Sequence, residues 1–319
     1  MKNLRKVIAM LLSLAMVLSF TASAASYSDV VAGTDAAEAV GLLSGLGVIG
    51  GYPDGTFGPE KTISRAEYLK ILFVLKNGVG SEELYAGSSS KYPDVTSDLW
   101  YASYVNWATQ LGIVGGYPDG TFKGDNPVTV AEASKMFVVG LGYNAGDFTY
   151  PYGFIDRARK SKLYEKLTGL VADNPAPRGV IAQIAYNFLF TDNAPGYGYY
   201  NQETRETDYK TPIEQTFKAV KEIGVVVATS TNSPGAASTP ITKAGRVAFS
   251  IEGKETTYDL AINCDDLVGH QVTIWKQPDD NDELQIVAVV DNTEQSFTQT
   301  YATMQVASGD VDQMHKSDI

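Results

Sequence analysis

The chain is poor in the residues from which most enzyme and metal sites are built. Its 319 residues include one cysteine, Cys264, and two histidines, His270 and His315. One cysteine excludes an internal disulfide framework and a cysteine-rich zinc site, and two distant histidines leave little for triad or histidine-metal chemistry. The sequence therefore predicts a protein that is not an enzyme and needs no metal or other cofactor.

Positive charge is also scarce. Lysine and arginine total 25 against 37 aspartate and glutamate residues, which gives a formal net charge of −12. A protein that coats nucleic acid needs a basic surface, so this balance argues against a nucleic-acid partner. Beyond the first 20 residues no apolar run approaches the roughly 20 residues of a bilayer span. Any anionic partner is therefore expected to be bound by a local cluster of basic side chains.

The N-terminus has the pattern of an export signal. Three basic residues within the first six precede an apolar run of 14 residues, 7–20, and Ala22 and Ala24 supply the small residues that signal peptidase accepts. The run is shorter than a bilayer span, so residues 1–24 are expected to be cleaved and not kept as an anchor. No lipidation or sorting motif is seen. An exported chain of this kind is expected to be held at the cell surface non-covalently.

A duplication is the most informative pattern in the sequence. Residues 51–57, GYPDGTF, recur unchanged as residues 116–122, at an offset of 65. At the same offset the segment YSDV at 27–30 meets YPDV at 92–95. Over the 22 positions that begin at residue 46, 12 are identical to those 65 residues later. Such identity in register indicates a repeated structural unit.

Each repeat is predicted to be two helices joined by a tight turn. In the first repeat, apolar residues at helical spacing over 35–46 end at Gly47, which suits the left-handed position after a helix. The Pro-Asp-Gly turn then delivers Phe57 inward, and Ser64 with Glu67 forms a capping box at the start of the second helix. The corresponding residues of the second repeat are Gly112, Phe122, Thr129 and Glu132.

These motifs resemble the S-layer homology (SLH) repeat, whose pattern runs from aromatic-x-Asp-Val through Gly-Tyr-Pro-Asp-Gly-Thr-Phe to a Thr-Arg-Ala-Glu-like helix start. The two clear repeats are assigned to residues 25–85 and 91–145. Because the family commonly works in threes, we assign a degenerate third repeat to residues 146–192. It has a helix that ends near Gly169 and an apolar helix after Arg178, but it lacks the turn motif.

The resemblance implies an α+β multidomain fold in which the mostly α N-terminal part is a pseudo-three-fold prism of SLH repeats. Grooves between repeats would bind a secondary polysaccharide of a Gram-positive-type cell wall, which often carries a pyruvate ketal. A ketal carboxylate suits an arginine at a helix N-terminus, where free amides and the helix dipole also favour anions. Arg65 and Arg178 have that place, whereas the second repeat has Val130, so one groove is expected to be weakened.

Seven further residues complete the predicted polysaccharide site. Structural roles are an alternative for most of them: the tyrosines could pack the turn, the glycines set the backbone and the aspartates form turns. Arg65 itself could be an ordinary solvated arginine. One of the seven occupies the tryptophan position of the family pattern. The seven are Gly51, Tyr52, Asp54, Trp100, Gly116, Tyr117 and Asp119.

The last third of the sequence follows a different pattern. Residues 193–212, rich in Gly, Tyr and polar residues, are predicted to be a linker, followed by a helix over 213–223. Short β-branched runs then predict a small, mostly antiparallel β region within 213–319. The strands are expected at residues 225–228, 246–251, 257–262, 271–275 and 284–290, and residues 279–283 at a hairpin tip. Because the linker is polar, this region is expected to be separable from wall attachment.

Three functions are compatible with the sequence. The leading one is non-covalent anchoring of an exported surface or S-layer protein to the cell wall, with self-association in a surface layer as a further partner interaction. In the second, the β region is a carbohydrate- or protein-binding module tethered by the repeats. The third, a wall-associated hydrolase, is disfavoured because the short non-repeat part lacks a nucleophile-base pair.

Overall fold

The computed structural model describes residues 27–31, 34–87, 89–195, 199–201, 206–208, 211–232, 241, 243–260 and 262–292. The expected signal peptide lies outside these residues. Seven α-helices lie within the described ranges: α1 (Asp35–Gly45), α2 (Arg65–Asn77), α3 (Ala102–Gln110), α4 (Val130–Gly140), α5 (Tyr152–Lys160), α6 (Arg178–Leu189) and α7 (Pro212–Gln215). Seven strands accompany them: β1 (Tyr199–Asn201), β2 (Glu206–Asp208), β3 (Val220–Thr229), β4 (Arg246–Ile251), β5 (Lys254–Asp259), β6 (Gln271–Pro278) and β7 (Leu284–Asp291).

The first two repeats are helix pairs, as the sequence predicts. Gly47 and Gly112 follow their helices with φ of 71° and 69°, in the left-handed region that favours glycine. Phe57 and Phe122 are fully buried. The N–H groups of residues 57 and 58 donate to the carboxylate of Asp29, which ties the turn to the start of its own repeat. Both predicted capping boxes are present, so the local signals and the fold agree.

The three helix pairs hold one another through backbone hydrogen bonds that run in a ring. At the start of α2, the N–H of Arg65 donates to the carbonyl of Asn126 at 2.9 Å, in the turn of the second repeat. At the start of α4, the N–H of Val130 donates to Asn174 O at 3.0 Å in the third unit. At the start of α6, the N–H of Arg178 returns to Lys61 O at 2.7 Å in the first. Each unit therefore supports the next.

The degenerate third unit keeps this geometry with a different sequence. The first helix of the unit, α5, ends at Lys160 and not near Gly169 as predicted. Lys162, with φ of 60°, takes the left-handed place that glycine has in the other units, so the expected signal is absent from the sequence. Pro177 makes no side-chain cap, yet α6 begins at the next residue because its first N–H groups are bound by the first repeat.

The C-terminal region is a five-stranded antiparallel sheet with strand order β5-β4-β3-β6-β7. One face has its own core, in which Val226, Phe249 and Ile274 pack with Cys264. The β6–β7 hairpin tip is confirmed, because Asp279 accepts the N–H groups of Asn281 and Glu283. β5 begins three residues earlier than predicted, after a turn in which Glu252 and Gly253 both have positive φ.

The predicted helix over residues 213–223 is wrong in its second half. The helix α7 spans only Pro212–Gln215, and β3 begins at Val220. Lys218 has φ of 48°, which interrupts the helix, and the β-branched residues that follow pair with β6. The expected linker likewise contains the short antiparallel pair β1–β2, and Ala194 donates its N–H to the carbonyl of Leu141 in α4's unit.

The sheet packs directly on the helical repeats, so the polar linker does not keep the two cores apart, which was the reason for expecting the β region to be separable from wall attachment. The last strand, β7, lies along α1, where a Cβ at Gly45 would overlap the backbone carbonyl of Val287. The ring of Trp275, 4% exposed, lies 5.6 Å from the ring of Phe190 at the end of α6. Phe217 from the connecting segment also joins the core of the repeats. The polar linker did not reveal this contact because the apolar groups that make it lie outside residues 193–212.

Within the described parts of the chain, no helix combines the length and the apolar character that crossing a bilayer requires.

Candidate functional site

A groove of about 280 Å³ lies where the first repeat meets the second, and we call it the Arg65 groove. Arg65, at the first turn of α2, reaches across to the turn of the second repeat. Its Nε donates to Phe122 O at 3.1 Å, and its guanidinium lies 4.7 Å from the centre of the Tyr117 ring. The groove is lined by Arg65, Ile113, Val114, Gly115, Gly116, Tyr117, Glu132, Lys135, Met136 and Tyr150. This mixture of aromatic, cationic and hydroxyl groups suits a sugar polymer.

Glu132 organises this groove. One carboxylate oxygen caps α4 by accepting the N–H of Thr129 at 3.0 Å, while the other lies 2.9 Å from Nη1 of Arg65. That second oxygen also accepts the hydroxyl of Tyr117 at 2.8 Å. Burial and this hydrogen bond raise the pKa of Tyr117 to about 12. The Tyr117 hydroxyl is therefore a neutral donor at physiological pH. Arg65 is buried and paired with Glu132, so it is not the solvated surface arginine considered as an alternative.

A related cluster lies where the third unit meets the first, and we call it the Arg178 cluster: Arg178, Lys61, Tyr52, Phe57 and the carbonyl of Gly50. The Nε of Arg178 donates to Phe57 O at 3.0 Å, and Nη2 donates to Gly50 O. The guanidinium also lies 4.8 Å from the Phe57 ring. Lys61 places its Nζ 3.8 Å from the centre of the Tyr52 ring. The two predicted arginines thus occupy equivalent places in two neighbouring junctions.

The third junction has a different chemistry. Val130, 3% exposed, stands where the other two helices have arginine. Nearby on α4, the hydroxyl of Ser134 makes a hydrogen bond to the hydroxyl of Tyr164 from the third unit. An apolar side chain and a tyrosine held by a serine offer no cation, so the departure noted in the sequence leaves this junction without the arginine of the other two.

The expectation that free amides at the helix starts attract the ligand is wrong for the first two amides of each helix. At α6 the N–H groups of Arg178 and Gly179 donate to the carbonyls of Lys61 and Pro59. At α2 the N–H groups of Arg65 and Ala66 are bound in the same way by the second repeat. These amides hold the units together, so the arginine side chains are the groups left to meet an anion.

The turn glycines divide into two kinds. A Cβ at Gly51 would overlap the ring of Tyr27, and one at Gly116 would overlap the ring of Tyr92, so these two glycines are required by packing inside their own repeats. Their neighbours are open, since a Cβ at Gly50 or Gly115 would meet no atom within 4 Å. A sugar can therefore approach the backbone more easily at the first glycine of each pair than at the second.

The two turn aspartates are bound within their own turns. Asp54 accepts the N–H and the hydroxyl of Thr56, and these bonds lower the pKa of its carboxyl. Asp119 accepts the same two groups from Thr121 and also pairs with Lys123 at 2.7 Å, which lowers its pKa further. Both aspartates shape the turns that carry the tyrosines.

Trp100 does not line the Arg65 groove. Its side chain is 56% exposed, and its ring packs against Tyr101 and Tyr104 at centroid distances of 5.4 and 6.2 Å. The structure therefore gives Trp100 an open aromatic surface of its own, apart from the predicted partners Arg65 and Tyr117.

Three polar side chains that line the groove were missing from the predicted site: Glu132, Lys135 and Tyr150. Glu132 was assigned only to the helix cap, although its recurrence with Glu67 at the offset of 65 could have marked it. Lys135 recurs with Lys70 at the same offset and carried the same signal. Tyr150 belongs to the degenerate third unit and lies just before its first helix, outside the duplicated motif, so only the fold could place it in the groove. In the described ranges, no three histidine, cysteine or acidic side chains are grouped as metal ligands would be.

Comparison with known proteins identifies the repeated motif. The family model of the S-layer homology domain matches residues 26–69 and 91–134, each from the aromatic start through the turn into the second helix. The matched ranges leave out residues 146–192. The chain is therefore an SLH domain-containing protein with two matched repeats, and its third unit is recognised by its place in the ring of hydrogen bonds.

Several relatives are surface proteins. The chain is 31% identical to the middle cell wall protein of Brevibacillus brevis over 263 residues, which covers 78% of this chain and 25% of that protein. It is 29% identical to the surface layer protein of Brevibacillus choshinensis over 304 residues, which covers 87% of this chain and 26% of that protein. It is 39% identical to the cellulosome-anchoring protein of Acetivibrio thermocellus over 88 residues, which covers 27% of this chain and 19% of that protein.

The extent of these matches bears on the sheet. The chain spans about a quarter of the length of the two Brevibacillus proteins. Because the second of those matches leaves only about an eighth of this chain unaligned, it runs from the helical repeats into the sheet. The match to that surface layer protein therefore includes at least part of the sequence that forms the sheet, together with that of the repeats.

Proposed function

We propose that the protein attaches non-covalently to a cell wall by binding an anionic secondary wall polysaccharide, of which a pyruvylated polymer is one example. It would be exported and would act at the surface of a bacterium with a Gram-positive-type wall. The observation that carries the proposal is the Arg65 groove, where a guanidinium, a lysine and two tyrosines from different units line one open space. Such a surface offers hydrogen bonds to hydroxyls and faces for sugar rings, and the Arg178 cluster at the neighbouring junction offers charge for acidic groups.

The ring of interlocked helix starts supports the three-fold prism as the scaffold of this role. Each junction brings the first turn of one helix onto a loop of the neighbouring unit, and the Arg65 groove lies at one of these junctions. A site of this kind exists only while neighbouring units are in contact. Binding and folding of the repeats are therefore expected to be lost together.

The relatives support a binding and structural role over catalysis. Their names include a cell wall protein, surface layer proteins and a cellulosome-anchoring protein. By likeness to the surface layer proteins we include self-association in a surface layer within the proposal. The packing of β7 on α1 favours a sheet that belongs to the anchoring unit over one that is a loosely tethered cargo.

Sedimentation with wall sacculi tests the proposed function. The chain from residue 25 to 319 is mixed with sacculi that bear their secondary polysaccharide and with sacculi from which that polymer has been removed chemically. We expect sedimentation with the first and not with the second, and competition by the released polysaccharide. Equal sedimentation with stripped peptidoglycan would show that the polymer is not the receptor.

A further inference from the structure

The two arginine junctions differ in how their positive charges are compensated. Arg65 is 5% exposed and forms an ion pair with Glu132 at 2.9 Å. The second cation beside Tyr117 is Lys123, whose Nζ lies 4.8 Å from the ring and 2.7 Å from the carboxylate of Asp119. Both cations that contact Tyr117 are therefore paired with carboxylates of the protein itself.

In the Arg178 cluster the corresponding cations contact neutral groups. Arg178 donates to two backbone carbonyls, of Phe57 and Gly50, and stacks near two aromatic rings. Lys61 lies over the face of Tyr52. Carbonyls and ring faces orient a cation without cancelling its charge, whereas a carboxylate in contact cancels most of it. The charge of this pair is thus available to a ligand.

The acidic groups around the Arg178 cluster are bound elsewhere. Glu67, the counterpart of Glu132, accepts the N–H of Ser64 at the cap of α2. Asp54, the counterpart of Asp119, accepts both polar groups of Thr56, and Lys61 acts on it at longer range. Lys135 lines the Arg65 groove, and its counterpart in the sequence is Lys70. The difference between the junctions therefore lies in the cations that contact the turn tyrosines: those beside Tyr117 make contact ion pairs, whereas those beside Tyr52 contact neutral groups.

We propose that the two junctions divide the binding of the polysaccharide: the Arg178 cluster takes its carboxylate groups, and the Arg65 groove takes uncharged sugar residues. This inference rests on the proposed function, because it assumes that an acidic polysaccharide is the ligand. Lys61 becomes a specificity-determining residue. In the Arg65 groove, Glu132 presents a carboxylate that can accept hydrogen bonds from sugar hydroxyls, and Tyr117 presents an aromatic face to a sugar ring. Arg65 positions Glu132.

The test compares two forms of one polymer. Released wall polysaccharide is used as isolated and after its carboxylates have been reduced to alcohols, and each is titrated calorimetrically into residues 25–319. Arg178→Gln and Lys61→Gln should weaken binding of the native polymer, about 10-fold or more for Arg178, as expected for a lost charge-assisted hydrogen bond. The same variants should bind the reduced polymer as the unaltered protein does, and their binding should depend less on salt.

Variants of the Arg65 groove are expected to weaken binding without changing the preference between the two polymers. Tyr117→Ala, together with Arg65→Gln/Glu132→Gln, which removes the ion pair without leaving one charge unpaired, should weaken binding of both polymers by the same factor. Arg159→Gln is the matched control, because Arg159 is an exposed arginine paired with Asp156 and lies on α5. Thermal unfolding of each variant checks that the fold is intact, and Arg178→Lys, which keeps the charge, should recover part of the loss.

The outcomes separate this inference from the proposed function. If the unaltered protein binds neither polymer, the proposed function fails. If it binds both equally, or if Arg65→Gln/Glu132→Gln alone removes the preference for the native polymer, polysaccharide binding stands and the division of tasks is overturned. If Arg178→Gln, Lys61→Gln and the unaltered protein all favour the native polymer to the same degree, the Arg178 cluster is not the carboxylate site.

Discussion

The helical repeats hold one another through backbone hydrogen bonds, whereas the sheet holds onto them through apolar side chains and a close approach at one glycine. In the ring, the N–H groups at the starts of three helices reach carbonyls of the neighbouring units whatever the side chain is, so Arg65 and Val130 serve equally well. At the sheet, contact depends on the particular groups present, Trp275 against Phe190 and Val287 against Gly45. The first kind of contact tolerates sequence change, and the second does not.

The largest effect is expected when one of the three units in the ring is removed. Deletion of residues 92–143 takes away the carbonyls of Asn126 and Gly124, which accept the first N–H groups of α2, together with the core that covers it. We expect loss of cooperative unfolding and of sacculus binding, since repeats of this kind are stable only against their neighbours. Circular dichroism and sedimentation measure both. A deletion variant that still unfolds cooperatively and still binds would contradict the ring.

The contact between sheet and helices is tested by enlarging its glycine. Gly45→Leu should cost about 3 kcal/mol or more of unfolding free energy, because its side chain would overlap the Val287 carbonyl and push β7 away from α1. Gly41→Ala on the same helix is the matched control, since its Cβ would lie 3.9 Å from Val290, an ordinary contact. Urea denaturation measures both. Equal stability of the two variants would mean that the sheet does not rest on α1 as described.

Acid is expected to have the smallest effect and to act on the repeats. Burial raises the pKa of Asp94, but the N–H groups of Phe122 and Lys123 outweigh it and hold that pKa below the ordinary value of 3.8. A carboxyl with a lowered pKa in the folded state stabilises fully above that ordinary value and loses its contribution as the pH falls through the lowered one. The unfolding temperature, measured from about pH 2 to about pH 6, should therefore fall below about pH 4.

Asp94→Asn supplies the control for the acid experiment. It should reduce the decline, whereas salt should change it little, because backbone amides and not mobile ions hold this carboxylate. The sheet offers the opposite case in Asp259, an exposed carboxyl whose pKa is lowered by Arg246 and Lys243 and whose contacts salt screens. An identical acid profile in Asp94→Asn would show that the decline has another source.

The sequence predicted the repeats well because the same capping, turn and glycine signals occur in both of them. Caps such as Ser64 with Glu67, and the left-handed glycine at Gly47, are local signals that need no knowledge of distant residues. The helix pattern predicted a helix pair in the third unit, and two helices lie there, but the first of them ends at Lys160, before a left-handed lysine that no propensity rule selects. Non-local support replaces the missing local signal there.

The candidate site was predictable only in part. The arginines and tyrosines stand out because they belong to the repeated motif, but their partners come from another unit, and the use of Glu132 by Arg65 depends on how the units meet. The packing of the sheet was missed for the same reason, since nothing near Gly45 indicates that Val287 lies against it. Recurrence at the offset of 65 was the unused signal in the sequence, since it marks both Glu132, with Glu67, and Lys135, with Lys70.

The return of Arg178 to the first repeat has a consequence for the order of folding. This contact joins residues 121 positions apart, Arg178 and Phe57, and it closes the ring. Closing so long a loop is slow compared with forming a helix pair, because the loss of chain entropy precedes the gain of contacts. Asp29 can hold the turn of the first repeat early, but the Arg178 cluster forms only when α6 has arrived. A chain that emerges N-terminus first therefore keeps this junction open until almost all of the helical region is present.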